Sequence, residues 1–162
     1  MSTTTTLLRL TVGGLFVGHG LQKLTGSFGG PGLDGTEQMM ESLDLRPAAR
    51  TARAAAWTET AGGAALALGA ATPVAAAGLV STMVTAIRTV HGSKGPWNTE
   101  GGWEYNAVLL AVLAAVADRP GRASVDALVG RSRWGLGGAL VALVGGTAAS
   151  YLVTSRRAKA GL

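Results

Sequence analysis

Apolar residues gather in five runs along the chain, at about 5–24, 52–70, 73–90, 103–117 and 134–153. The first, TTLLRLTVGGLFVGHGLQKL, carries one charge, Arg9, before its polar end. About 20 apolar residues in a helix rising 1.5 Å each cross a hydrocarbon core of ~30 Å. The second and third runs are parted only by Ala71-Thr72-Pro73, and proline suits the first turn of a helix, so the spacing predicts a tight helical hairpin. The fourth run is short for a span and would need tilt or a thinner bilayer. The fifth is free of charge throughout. A water-soluble helix would show a charged stripe at period 3.6, and the third and fifth runs lack one. MSTTTT has no basic leader, and no A-x-A-like cleavage site follows, so the first run reads as a span, not a signal peptide.

The connectors refine this picture. SFGGPGLDG is a turn-rich loop. TEQMMESLDL sets Met39, Met40, Leu43 and Leu45 against Glu37, Glu41 and Asp44, the pattern of a short amphipathic helix at a membrane interface or of an ordinary surface helix.

Composition supports a membrane setting. Hydrophobic residues make up 48% of the 162 and charged residues 14%, against about 25% in average soluble domains. The net charge of +5 lies mostly between and beyond the apolar runs, as juxtamembrane Lys and Arg do, with no basic stripe interleaved with aromatics to receive nucleic acid. Cysteine is absent, which excludes disulfides, thiolate metal sites and CxxC redox chemistry. With two histidines, His19 and His91, no metal or haem site is expected.

Five crossings would place Arg9, Arg119, Arg122, Arg131 and Arg133 on the N-terminal face. Lys23, Arg46, Arg50, Arg53, Arg88, Lys94, Arg156, Arg157 and Lys159 would fall on the other. That imbalance slightly favours a cytoplasmic C-terminus.

The same topology gathers polar residues at one end of the bundle. His19, Gln22 and Lys23 share a helix face at i, i+3, i+4. Glu59 enters from that side, Ser81, Thr85 and Arg88 return to it, and His91, Lys94, Glu104, Tyr105 and Asn106 follow. The opposite ends of the helices look nearly bare. A charged side chain at the centre of a membrane helix costs about 2.5–3.5 kcal/mol, so such groups face a bundle interior, pair, or mark a functional path. Glu59 is expected to pair with Arg88 or Lys23, and Glu104 with the other. A shared pocket of this kind suits a lipid-soluble quinone. His19, Lys23 and Tyr105 could donate to its carbonyls, and Glu59 and Glu104 could relay protons.

The stretches RLTVGGLFVGHGLQKLTGSFGGPGLDGT, WTETAGGAALALGAATPVAAAGL, TVHG, GGWEYNAVLL and DRPGRASVD resemble the DoxX family of small bacterial membrane proteins, over about residues 7–126. The resemblance implies an all-α, integral membrane four-helix bundle over 1–126. The segment 127–162 then supplies a loop, an added fifth C-terminal transmembrane helix and a basic tail. Some relatives are subunits of thiosulfate:quinone oxidoreductase. Carried onto this chain, the resemblance points again to His19, Gln22, Lys23, Glu59, His91, Glu104, Tyr105 and Asn106. With the polar cluster, catalytic roles are expected of Glu59, His19 and Glu104, and quinone binding of His19, Gln22, Lys23, Arg88, His91, Tyr105 and Asn106.

The added segment carries Gly138, Ala142, Gly146 and Ser150 at i+4 steps, a ridge of small residues that lets helices approach closely in lipid. It could dock a protein partner or a second copy, or pack on its own bundle. The expected function is a multi-pass, quinone-interacting subunit of an oxidoreductase of the bacterial inner membrane. The alternative is a non-catalytic anchor or accessory subunit of a larger redox complex. A small carrier ranks below both, because the bare ends offer no second gate.

Overall fold

The computed structural model describes residues 2–154. The basic tail with Arg156, Arg157 and Lys159 lies outside the described residues, and so does its share of the charge imbalance. The described chain is all-helical. It comprises α1 (Ser2–Thr25), α2 (Gly32–Ser42), α3 (Ala48–Leu68), α4 (Thr72–Lys94), α5 (Glu104–Asp118), α6 (Val125–Leu128) and α7 (Leu136–Thr154). Among the described residues two helices, α4 and α7, are long and apolar enough to cross a membrane. The long α1 and α3 are less apolar. With its 15 residues, α5 reaches about 22 Å.

The helices run up and down around a core of Val12, Phe16, Leu66, Ala76, Leu79, Val80, Leu113 and Val116. Helix α1 packs along α3 over most of its length. Glycine makes that closeness available: a Cβ on Gly20 would collide with Thr60, and one on Gly63 with the backbone of Gly13 and Val17. Helix α4 is central and touches α3, α5 and α7. Helix α2 forms a smaller cluster with the start of α3, through Met40, Leu45, Ala48 and Ala52. Both α4 and α7 widen into a π turn, at Ile87–His91 and Val141–Gly145.

The α3–α4 hairpin is as tight as Ala71-Thr72-Pro73 implied. Gly69 closes α3 in the left-handed region (φ 65°), Ala71 follows at φ 45°, and Pro73 sits in the first turn of α4. Gly69 cannot be larger, because a Cβ there would occupy the position of the Arg9 guanidinium.

The ridge on α7 faces inward. Gly138 packs on the Ala117 carbonyl of α5, Gly146 on Ala77 and Val80 of α4, and Ala142 and Ser150 are fully buried. Of the two uses open to Gly138, Ala142, Gly146 and Ser150, the structure takes packing within the chain. A partner or second copy would find no exposed surface on these four residues.

Candidate functional site

Two polar centres lie at opposite ends of the bundle. The first joins α1 to α3: Lys23 Nζ donates to Glu59 Oε2 in an ion pair whose side chains are 20% and 8% exposed. Glu59 lies eleven positions into α3 and is among its buried residues, with Ala56 below and Gly63 above. Helix α1 comes close enough for Lys23 to reach it because Gly20 sits flush against Thr60 and Ala56. The pairing expected of Glu59 is therefore made with Lys23.

The remaining expected residues disperse around that pair. His19 is exposed, and its Nδ1–H donates to Gln22 Oε1 at 3.0 Å. A neutral His19 held in this way keeps Nε2 as an acceptor, so the donor role expected of His19 requires the ring to be protonated. Arg88 does not meet Glu104. It donates to Thr154 Oγ1 and lies 3.7 Å over the Tyr151 ring, both on α7. Thr85 and Ser150 share a hydrogen bond of 2.9 Å one turn below. The polar face of α4 is thus turned to α7, because the fifth apolar run packs against it and offers hydroxyls where the expectation had placed carboxylates.

Glu104 instead accepts the Asn98 backbone N–H at 2.9 Å, and His91 Nδ1–H donates to Gly101 O at 2.6 Å. Both residues fasten the α4–α5 loop. Asn106 is buried, and its amide donates to Met83 Sδ at 3.5 Å. Tyr105, Trp97 and Trp103 are exposed, as interface aromatics are. Ionic contact therefore joins Lys23 to Glu59, while His19–Gln22, Arg88, His91, Glu104 and Asn106 are each engaged elsewhere.

The second centre corrects the expectation of bare opposite ends. Arg9, near the start of α1, is 1% exposed and donates through Nη2 to Ala123 O, while its Nε and Nη1 have no hydrogen-bond partner. Asp126 on α6 lies nearby and interacts with it electrostatically. Asp126 Oδ1 accepts the Ala71 N–H at 2.8 Å. Its Oδ2 accepts Thr72 N–H at 2.9 Å, Thr72 Oγ1–H at 2.7 Å and Trp134 Nε1–H at 2.9 Å. One carboxylate thus caps α4, whose first N–H groups are otherwise orphaned, and anchors the entry to α7. Burial by itself would raise the Asp126 carboxyl. The hydrogen bonds from Thr72, Trp134 and Ala71 outweigh that and hold it below the ordinary aspartate value. Ser124 orders the approach by accepting the Ala127 N–H at 3.2 Å as the cap of α6. The available signals were Arg9, the lone charge early in an apolar run, and SVD, a cap followed by an acid, in DRPGRASVD.

The DoxX family model matches residues 4–92, from the start of α1 to just past the π turn of α4. No curated protein and no solved structure matches the chain. The matched segment contains His19, Gln22, Lys23, Glu59, Arg88 and His91, and stops before the GGWEYNAVLL and DRPGRASVD stretches. Because the match spans more than half of the 162 residues, the chain belongs to the DoxX family.

Proposed function

We propose that this chain is a multi-pass protein of the bacterial inner membrane and a quinone-interacting subunit of a membrane oxidoreductase, with the Lys23–Glu59 end of the bundle as its working end. Family membership and two apolar helices of span length support a membrane protein. The observation that carries the functional reading is the Lys23–Glu59 pair, with Glu59 buried and Lys23 half-buried. Intramembrane ionisable pairs are costly and are associated with substrate and proton paths.

A quinone supplies two-electron, two-proton chemistry at its headgroup when bound. Lys23 keeps donors beyond the one given to Glu59, and His19 keeps Nε2 to take up a proton. Glu59 can hold or release a proton at the carboxylate facing Lys23. The chain contains no cysteine, so electrons would enter from a partner subunit.

Saturable quenching of tryptophan fluorescence by a short-chain quinone tests this in the detergent-solubilised full chain. Wild type is expected to quench at low quinone, and Glu59→Gln to shift the midpoint roughly tenfold, about 1.4 kcal/mol. Unsaturable quenching in wild type, together with a lipid extract free of quinone, would overturn it.

The accessory-subunit reading rests on a different observation: His91 and Glu104 are committed to shaping one loop, and Arg88 to holding α7. On that reading the polar residues are scaffolding, and Glu59→Gln leaves any quinone response unchanged.

A further inference from the structure

We propose that the chain holds one two-tailed anionic phospholipid at the end of the bundle opposite Lys23–Glu59, with its acyl chains in two grooves on either side of Val74 and its headgroup on the arginines of the α5–α7 connector. The proposal rests on the membrane reading above and is independent of quinone.

The two grooves share Ala71 and Val74 at the tip of the α3–α4 hairpin and diverge from there. One, of about 430 Å³, follows the outer seam of α3 and α4 past Ala65, Gly62 and Gly78 to Trp57. From Leu68, where α3 ends, back to Trp57 is eleven residues of helix, or about 16 Å, a length that suits an extended chain. The other, of about 380 Å³, lies between α4 and α7 and is lined by Pro73, Trp134, Gly137 and Val141. Val74, 67% exposed, forms the ridge between them. Two apolar grooves that meet at one point and part along the helices fit two acyl chains on one headgroup better than a packed helix, which would ride on the Val74 ridge.

The point where they meet is basic. Trp134 walls the second groove, its indole pinned by Asp126 and its face covered by the Arg131 guanidinium at 4.6 Å. Gly121 N–H donates to Ser132 O at 3.3 Å, which draws the Arg122 end of the connector to the Arg131–Arg133 end. Arg122, Arg131 and Arg133 are exposed and make no ion pair among the described residues, whereas Arg119 is held by Asp118 at 3.0 Å. Two acids lie at this end: Asp118 is taken up by Arg119, and Asp126 is buried with both oxygens engaged and Arg9 as its counter-charge. A phosphodiester at the mouth therefore meets free guanidiniums and no free carboxylate. Basic pockets between membrane helices bind anionic headgroups in this way.

Native mass spectrometry of the detergent-solubilised full chain with phosphatidylglycerol, phosphatidylcholine of the same acyl chains and lysophosphatidylglycerol tests the assignment. Wild type is expected to bind phosphatidylglycerol tightest. The double variant Arg131→Gln, Arg133→Gln is expected to bind it about 25-fold more weakly, because each basic group at an anionic membrane surface contributes roughly fivefold. The same charge loss at the other face, Arg50→Gln with Arg53→Gln, is expected to change nothing. Gly137→Leu is expected to weaken both diacyl lipids, since a Cβ at Gly137 meets no atom within 4 Å and the added side chain enters the groove without disturbing the core. Equal affinity for the two headgroups, or wild-type affinity in the arginine double variant, would overturn the headgroup site. Equal binding of the lysolipid would overturn the two-groove assignment. A chain recovered from cells in the aqueous fraction without detergent would sink the membrane reading itself, a result distinct from a membrane-bound chain that ignores headgroup charge.

Discussion

Asp126 is the residue on which most of one end of the molecule depends. It terminates four donors from α4, the hairpin and the connector that enters α7, and it balances a buried arginine. Hydrogen bonds to a charged group contribute roughly 1.5–3 kcal/mol each in mutational series, and breaking a buried charge pairing costs about 3–5. Asp126→Asn is therefore expected to lower stability by about 3 kcal/mol at neutral pH, read by thermal unfolding in detergent. The carboxyl sits below its ordinary value when folded, so its contribution is present above about pH 4 and is lost as pH falls through the folded value. The gap between wild type and variant should be widest near pH 7 and close in strong acid; a gap constant down to pH 2 would contradict the assignment. SVD marked an acid after a cap, but not what that acid would hold. Asp126 is more than fifty positions from the Ala71 and Thr72 groups it caps, and only the packed hairpin brings them together. Lys23 and Glu59, by contrast, were legible because charges inside apolar runs have few places to go.

Helices were legible for the same reason. The five apolar runs correspond to α1, α3, α4, α5 and α7, and boundaries differ where charge and hydropathy part company. Helix α3 begins at Ala48, ahead of the run at 52, because Arg50 and Arg53 are exposed on its first turns and cost the helix nothing. Helix α4 runs past Val90 to Lys94 through a π turn that no hydrophobic period encodes. The small residues of α7 were visible, but the choice between neighbour and partner lay in the three-dimensional arrangement. The α1–α3 seam obeys the same close-packing rule and gives a clean test. At Gly20 a methyl group would strike Thr60, whereas at Gly14 it would meet nothing within 4 Å. Gly20→Ala is expected to destabilise by about 2 kcal/mol through forced separation of the two helices. Gly14→Ala should stabilise by about 0.5–1 kcal/mol through reduced backbone entropy. Equal effects at the two positions, measured by thermal unfolding in one detergent, would show that the seam is not set by glycine.

At the scale of the whole molecule, direction constrains topology. Helices α4 and α7 start together at Asp126 and end together where Arg88 meets Thr154, so they run parallel. If both cross a membrane in the same sense, the chain must return between them, and α5 is the antiparallel helix that can carry it, its C-terminal Asp118 carbonyl accepting N–H groups from Trp134 and Gly135. Its 15 residues, about 22 Å, then call for tilt or local thinning of the bilayer. The antiparallel α1–α3 pair packs at the same height, with Arg9 and Gly69 at one end and Lys23 and Glu59 at the other. If all five helices cross, the geometry makes a testable commitment. The chain has no cysteine, so single cysteines report alone. Phe28, 76% exposed beyond α1, and Leu128, 85% exposed in the α5–α7 connector, lie at opposite ends of the bundle. In intact cells an impermeant maleimide is expected to label only one of Phe28→Cys and Leu128→Cys, and inverted vesicles should label the other. Labelling of both from one side would mean that the bundle lies along the membrane or outside it, and the half-buried Lys23–Glu59 pair would then be an ion pair of a different kind of protein.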